Sequence, residues 1–197
     1  MAFNIDESYW TERYQNQQTG WDLGEISPPL KAYIDQLNDT SLTILIPGSG
    51  NSYEAAYLHS RGFTNVFIVD LSSAPLQAFL AKYPDFPKEN AIEGDFFELE
   101  GQFDLILEQT FFCALPPQFR SQYAEKILSL LKPGGKLVGV LFNIPLNQDR
   151  PPFGGDSAEY LKYFDPLFNI EVFEECYNSI KPRQGSELFM VMQKSKS

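Results

Sequence analysis

The chain has little of the chemistry on which many enzymes and binding proteins depend, with two cysteines and one histidine in 197 residues. Cys113 and Cys176 are far apart in the sequence, in apolar or strand-like surroundings. This excludes a disulfide framework and predicts a reducing, cytoplasmic location. His59 lies inside a predicted helix, and no cysteine or histidine pair has metal-ligand spacing. We therefore predict no metal site and no Ser-His-Asp hydrolase.

Basic residues and long apolar runs are also scarce. Fifteen Lys and Arg stand against 26 Asp and Glu, a formal charge of −11. A net acidic chain without a basic run repels phosphate, so no nucleic-acid partner is expected. No apolar stretch approaches the ~18 residues that a membrane helix needs. The first residues lack the basic start and apolar block of a signal peptide, so no membrane partner is expected either.

What is present is typical of one globular domain: 43% hydrophobic residues, 15% aromatic, with 17 phenylalanines. Short apolar runs alternate with helical periodicities along most of the chain. Strands are predicted at 42–46, 66–70, 90–93, 103–108 and 136–142, and helices at 52–61, 73–83 and 117–131. Strands that are apolar on both faces need cover on both sides, which crossover helices supply in a parallel sheet.

The two ends of the chain depart from this alternation. Residues 169–177 and 187–194 are strand-like and are joined by a connection with Pro182 and Gly185, which predicts a terminal antiparallel hairpin. About forty aromatic and amphipathic residues precede the first strand and predict two short helices. The fold class is thus α/β, a single domain over 1–197 with a helical segment at 1–40 and a mostly parallel sheet core at 41–197.

The most informative segment for function is the turn Gly48-Ser49-Gly50 after the first predicted strand. A Gly-x-Gly turn lets backbone approach a ligand that side chains would block. Asp70 follows Gly50 by twenty residues and ends the second strand, where an acid can accept hydrogen bonds from both hydroxyls of a ribose. The alternative interpretation is a tight turn with a surface acid.

The residues after this turn favour a ribose ligand without phosphates. A dinucleotide site needs a third glycine where Tyr53 stands, and the acid Glu54 suits a diphosphate poorly. S-adenosylmethionine, with its adenosine, sulfonium and amino-acid tail, fits better. Asp95 and Phe96 follow the third strand, where an acid can accept from the adenine amine and an aromatic ring can cover the base. The alternative for this pair is a turn with a core phenylalanine.

In these residues and in several further motifs, the chain resembles the thiopurine methyltransferase family, and most closely its halide and thiol methyltransferase branch. The most specific motif is TFFCALPP at 110–117. The others lie at 19–22, 47–50, 69–72, 94–97, 131–135 and 151–153. The resemblance implies a Rossmann-like class I methyltransferase with a seven-strand sheet, whose N-terminal segment folds over S-adenosylmethionine as a lid.

The resemblance also implies a set of cofactor contacts. They fall on Trp10, Tyr14, Trp21, Gly48, Gly50, Asp70, Leu71, Asp95, Phe96 and Glu108. Two positions depart from the family: Tyr14 stands where relatives carry tryptophan, and Gln109 stands where thiopurine-active members carry arginine and the halide branch tyrosine. The second departure leaves the methyl acceptor unassigned.

Candidates for the acceptor pocket are Gln109, Phe111, Phe112 and Phe153, which lie in loops predicted at the carboxyl edge of the sheet. The alternative for the phenylalanines is a place in the core. Arg120, Arg150 and Arg183 are candidates to attract an anionic acceptor, or are ordinary surface arginines. Methyl transfer to a soft nucleophile depends on positioning, so no catalytic acid or base is predicted.

The resemblance implies a methyltransferase of the EC 2.1.1 type that produces S-adenosylhomocysteine. Its expected acceptor is a thiol, thiocyanate, a halide, or a selenium or tellurium oxyanion. The expected partner is a small-molecule substrate, and the expected state is a monomer or weak dimer. Two alternatives stay open: a non-catalytic S-adenosylmethionine-binding protein, and a NAD-dependent oxidoreductase, against which Tyr53 argues.

Overall fold

The computed structural model describes residues 6–147 and 149–196. The strands within these ranges are β1 (Ile44–Pro47), β2 (Val66–Asp70), β3 (Ala91–Glu93), β4 (Phe103–Gln109), β5 (Leu131–Phe142), β6 (Asn169–Glu175) and β7 (Glu187–Gln193). The α-helices are α1 (Glu7–Gln15), α2 (Pro28–Ile34), α3 (Tyr53–Ser60), α4 (Ser73–Lys82), α5 (Arg120–Leu130) and α6 (Ser157–Phe164).

The strands form one seven-stranded sheet in the order β3-β2-β1-β4-β5-β7-β6. The pairs among β1 to β5 are parallel, whereas β7 is antiparallel to both β5 and β6. The predicted mostly parallel sheet with an antiparallel C-terminal hairpin is therefore confirmed. The strand order reverses at β1, which lies between β2 and β4, so a crevice is expected beyond the carboxyl ends of β1 and β4.

The apolar runs form strands because both faces of the sheet are covered. Consecutive residues of β4 belong to opposite sides of the core: Ile106 packs with Leu137, and Leu107 packs in the cluster that contains Val138. The four residues of β1 are buried or nearly so along their whole length. A strand exposed on one face would show an alternating pattern instead.

The N-terminal segment contains the two short helices that the sequence predicts. Helix α1 lies against α4, where the hydroxyls of Thr11 and Ser72 share a hydrogen bond of 2.8 Å. Helix α2 buries Leu30 and Ile34 in the core. In the ranges that the structure describes, no helix combines the length and the apolar character needed to cross a membrane.

Two elements differ from the sequence prediction. Strand β5 begins at Leu131, whereas the sequence predicts a start at 136. Leu131 pairs with Phe103 of β4, and the register then shifts, so that Leu105 pairs with Lys136. Helix α6 was not predicted. Two features of the sequence favour this helix. Asp156 is its N-cap, and the Asp156 carboxylate accepts a hydrogen bond from the backbone N–H of Glu159 at 2.8 Å. Two buried aromatic residues, Tyr160 and Phe164, lie four positions apart along it.

The close pairing of β4 and β5 predicts a strict requirement for glycine at position 139. A Cβ at Gly139 would lie 2.4 Å from the carbonyl oxygen of Glu108 and 2.9 Å from its Cα, so the strands would have to separate. We expect Gly139→Ala to lower the free energy of unfolding by about 3 kcal/mol, measured by urea denaturation. Gly94→Ala is the control, since a Cβ there meets nothing within 4 Å. Equal stability of the two variants would refute the requirement.

Candidate active site

A cavity of about 820 Å³ lies at the carboxyl edge of the sheet, within the size range of ligand sites. Its walls come from the turns after β1, β3 and β4, from the end of β2, and from the N-terminal segment. It thus occupies the crevice that the strand order predicts.

The floor of the cavity includes the glycine turn after β1. Gly48 and Gly50 both have positive φ, +56° and +49°. A Cβ at Gly48 would lie 2.2 Å from Cδ2 of Phe111, and one at Gly50 would lie 2.8 Å from the hydroxyl of Tyr14. Both backbone conformation and space therefore demand glycine, and the turn exposes main chain to a ligand.

Asp70 ends β2 beside this turn. One carboxylate oxygen accepts from the backbone N–H of Gly50 at 3.0 Å, and the other accepts from that of Ser72 at 2.9 Å. Burial raises the pKa of Asp70, while these backbone hydrogen bonds act in the opposite direction. Each oxygen of a carboxylate has two acceptor positions, so Asp70 can still accept from two hydroxyls of a ligand.

Three aromatic side chains of the N-terminal segment line the cavity from the other side. The ring of Trp21 meets Trp10 edge-on, with 5.5 Å between centroids, and meets Tyr14 edge-on at 5.9 Å. The faces of aromatic rings attract cations, so an aromatic cluster beside the cavity suits a positively charged ligand.

Asp22 connects this segment to the start of α3. Its Oδ2 accepts from Nδ2 of Asn51 at 2.5 Å and from the hydroxyl of Tyr53 at 3.3 Å. From the sequence, Tyr53 is expected only to crowd a diphosphate, and its hydrogen bond to Asp22 is not predicted. The connection could have been suspected from the motif at 19–22, but the motif does not identify the partner.

Arg120 and Arg183 have different places in the structure. Arg120 is fully buried and does not line the cavity. Its Nη2 donates to the carbonyls of Phe153 at 3.1 Å and Gly154 at 2.6 Å, and so holds the loop that contains these two residues. Arg183 does line it, and donates to the carbonyl of Trp21 at 2.8 Å. Arg150 is not among the lining residues.

The charged side chains around the cavity are mainly acidic. The described lining residues include two arginines, Arg13 and Arg183, and five acids, Asp22, Glu25, Glu54, Asp70 and Asp95. Burial raises the pKa of Glu54, which accepts from the backbone N–H of Ser27 at 3.3 Å. The excess of acids suits a ligand that carries positive charge.

The structure brings together most of the residues that the sequence analysis singled out. The cofactor candidates that line the cavity are Trp10, Tyr14, Trp21, Gly48, Gly50, Asp70, Leu71, Asp95 and Phe96. Of the acceptor candidates, Gln109 and Phe111 line it as well. Their roles in binding stay predictions.

Glu108, Phe112 and Phe153 are not where the sequence analysis placed them. None of the three lines the cavity, and all are buried. Phe112 points into the core against Tyr123, with 5.0 Å between ring centroids, while Phe111 beside it faces the cavity. Neighbouring residues of the turn after β4 point to opposite sides, which the spacing of aromatic residues does not reveal.

The carboxylate of Glu108 takes three hydrogen bonds inside the protein. Oε1 accepts from the backbone N–H groups of Phe111 at 2.8 Å and Phe112 at 2.9 Å, and Oε2 accepts from the hydroxyl of Tyr123 at 2.6 Å. Burial raises the pKa of Glu108 to about 7, although these hydrogen bonds lower it. Burial also raises the pKa of its titratable neighbours Tyr123 and Cys113.

Comparison with known proteins identifies related sequences over nearly the whole chain. The family model described as thiopurine S-methyltransferase matches residues 5–195. The chain is 30% identical to probable thiol methyltransferase 2 of Arabidopsis thaliana over 184 residues, which cover 90% of this chain and 81% of that protein. It is 27% identical to thiocyanate methyltransferase 1 of the same plant over 191 residues, covering 93% and 83%.

A solved structure has the same fold. The 1,6-didemethyltoxoflavin-N1-methyltransferase of Burkholderia thailandensis, with bound 1,6-didemethyltoxoflavin and S-adenosylhomocysteine, matches with a TM-score of 0.76 and 20% identity. The match covers 96% of this chain and 87% of that one. The fold is therefore that of the class I methyltransferases.

The buried carboxyl of Glu108 predicts a pH-dependent contribution to stability. Its pKa in the folded protein, about 7, lies above the ordinary value of 4.5, so the unfolded chain releases the proton first as pH rises. The free energy of unfolding should then fall between about pH 4.5 and 7, by about 1.4 kcal/mol per pH unit and on the order of 3 kcal/mol in total.

Glu108→Gln removes the titrating group and should abolish this part of the decline. The measurement is urea unfolding of both proteins at pH 5 and pH 7.5. Parallel pH dependence of the two proteins would show that Glu108 does not titrate in this range.

Proposed function

Because the chain belongs to the thiopurine S-methyltransferase family and is therefore an S-adenosylmethionine-dependent methyltransferase, we propose that it methylates a small soft nucleophile bound beside the turn after β4. The observation that carries this proposal is the continuity of one cavity. The glycine turn and Asp70 lie on one part of its wall, and an apolar surface lies on another. A donor and an acceptor can thus occupy the same enclosed space.

The residues present fit S-adenosylmethionine. Gly48 and Gly50 leave main chain exposed where a Cβ would collide with Phe111 or Tyr14, and Asp70 keeps acceptor positions for a ribose. The side chain of Asp95, beside the cavity, has the chemistry to accept from an adenine amine. The predominance of acids complements a sulfonium and an ammonium group.

Bound S-adenosylmethionine supplies a methyl carbon that its positively charged sulfur activates for displacement. The protein contributes position: walls that hold a nucleophile in line with this carbon can lower the barrier by ~7–11 kcal/mol. The π faces of Trp10, Tyr14 and Trp21 can stabilise the positive charge by ~0.5–2 kcal/mol each. With these three rings over the site, the N-terminal segment acts as a lid that keeps water out.

The proposed acceptor end of the cavity is mostly apolar. Its residues are Gln109, Phe111, Cys113, Phe142, Pro151 and Pro152. Such walls suit a polarisable nucleophile: a thiol, thiocyanate, a halide, or a selenium or tellurium oxyanion. Among these, the acidic surroundings favour a thiol, which can reach the open cavity uncharged and lose its proton to solvent water before the lid closes. Two relatives are named for thiol and thiocyanate methylation, which supports this range.

The first test is release of S-adenosylhomocysteine with iodide, thiocyanate, hydrosulfide, an aromatic thiol, a thiopurine, selenite and tellurite as acceptors. We expect turnover with the thiols, and slower turnover with the inorganic oxyanions because the cavity is acidic. Tight binding of S-adenosylhomocysteine without turnover on any acceptor would refute the proposed activity and favour a non-catalytic binding protein.

The second test concerns Asp70. We expect Asp70→Asn to weaken binding of S-adenosylhomocysteine about 10- to 100-fold in calorimetry, since hydrogen bonds to charged groups contribute ~1.5–3 kcal/mol. Asp104→Asn is the matched control, because Asp104 pairs with Lys132 at 2.8 Å and does not line the cavity. Equal affinities of the two variants would argue against the ribose-binding role.

A further inference from the structure

The last residue but one of β4, Glu108, has a carboxyl group that solvent does not reach. Glu108 is fully buried and accepts hydrogen bonds from two backbone N–H groups and one tyrosine hydroxyl, and no cationic side chain within residues 6–147 and 149–196 is hydrogen-bonded to it. Burying a carboxyl group is costly unless it is hydrogen-bonded. The described contacts show what these hydrogen bonds hold.

The hydrogen bonds from the two backbone N–H groups to Glu108 hold the turn that follows β4. The ladder between β4 and β5 ends at Gln109, which pairs with Val140, and Thr110 then has a positive φ of +61°. The next two N–H groups, those of Phe111 and Phe112, both donate to Oε1 of Glu108. A single carboxylate oxygen thus fixes the direction in which each of the two phenylalanines leaves the turn.

Phe111 is the member of this pair that reaches the cavity. Its ring occupies the space that a side chain at position 48 would need, and its centroid lies 5.2 Å from that of Phe96. It thus lies directly beside the glycine turn, where we place the cofactor, and is itself one of the residues of the proposed acceptor end. A shift of this ring would change the wall against which the nucleophile lies.

Tyr123 of α5 keeps the carboxylate in one orientation. Its side chain is fully buried, its hydroxyl donates to Oε2 of Glu108 at 2.6 Å, and its ring packs against Phe112. With Oε2 held in this way, Oε1 faces the two backbone donors.

We propose that Glu108 is a positioning residue for methyl transfer: without touching either ligand, it fixes Phe111 at the boundary between the cofactor and acceptor parts of the cavity. This inference rests on the proposed function. It differs from a general contribution to stability because it acts through one side chain, Phe111, and so predicts coupling between the two positions.

The experiment is a double-mutant cycle with Glu108→Leu, Phe111→Ala and the double variant, in steady-state assays with an acceptor that the wild-type enzyme turns over. We expect each single variant to raise the acceptor KM about tenfold, and the double variant to resemble Phe111→Ala alone, because coupled residues are non-additive. Additive effects, or an unchanged KM in Glu108→Leu, would overturn the proposal.

Three further variants separate positioning from stability. Glu108→Gln keeps an oxygen for the two N–H groups and should restore an acceptor KM within about threefold of wild type. Phe79→Leu, in the core cluster on the other side of the sheet, should lower stability with no change in this KM. If Glu108→Leu does not fold, Tyr123→Phe, which removes the bond to Oε2, should raise KM in the same direction and again show no added effect with Phe111→Ala.

The outcomes also distinguish this inference from the proposed function. If the wild-type protein turns over no soft nucleophile, the proposed function fails, and a role in positioning for it fails too. If the wild-type protein is active and Phe79→Leu raises the acceptor KM as much as Glu108→Leu does, the function stands and the positioning role is refuted.

Discussion

The site depends on the reversal of strand order at β1. Because β2 lies on one side of β1 and β4 on the other, the segments that follow these strands diverge and leave a crevice at the carboxyl edge. The glycine turn after β1 lies at this point, and its backbone approaches Phe111 and Tyr14 too closely for any side chain at positions 48 and 50. The cavity exists because the topology opens it and the glycines keep it open.

Turns at this edge have backbone groups that the sheet does not pair, and two buried polar side chains form hydrogen bonds with them. Glu108 accepts from two N–H groups of the turn after β4, and Arg120 donates to two carbonyls, those of Phe153 and Gly154. The two turns are also joined directly, since the N–H of Phe153 donates to the carbonyl of Cys113 at 2.7 Å. Hydrogen bonds with buried side chains thus stabilise irregular backbone beside the proposed acceptor pocket.

The N-terminal segment completes the cavity through contacts with two separate parts of the core. Asp22 accepts hydrogen bonds from Asn51 and Tyr53 at the start of α3, and the carbonyl of Trp21 accepts one from Arg183, in the connection of the C-terminal hairpin. The aromatic rings are therefore held at both sides. The same segment contributes acids, so it adds negative charge and π surface together, which is the combination that a sulfonium ligand favours.

The sequence by itself determined the sheet and the glycine turn after β1. Strands buried on both faces must be continuously apolar, and the offset from Gly50 to Asp70 follows from one strand-helix-strand unit, so both are visible as local patterns. Tertiary structure alone decided which aromatic and charged residues reach the cavity. Phe111 and Phe112 are adjacent and chemically identical, yet the turn after β4, whose two N–H groups donate to Glu108, places Phe111 at the cavity and Phe112 in the core. Arg120 and Arg183 differ in the same way, because the carbonyl partner that each finds lies more than thirty residues away in the chain.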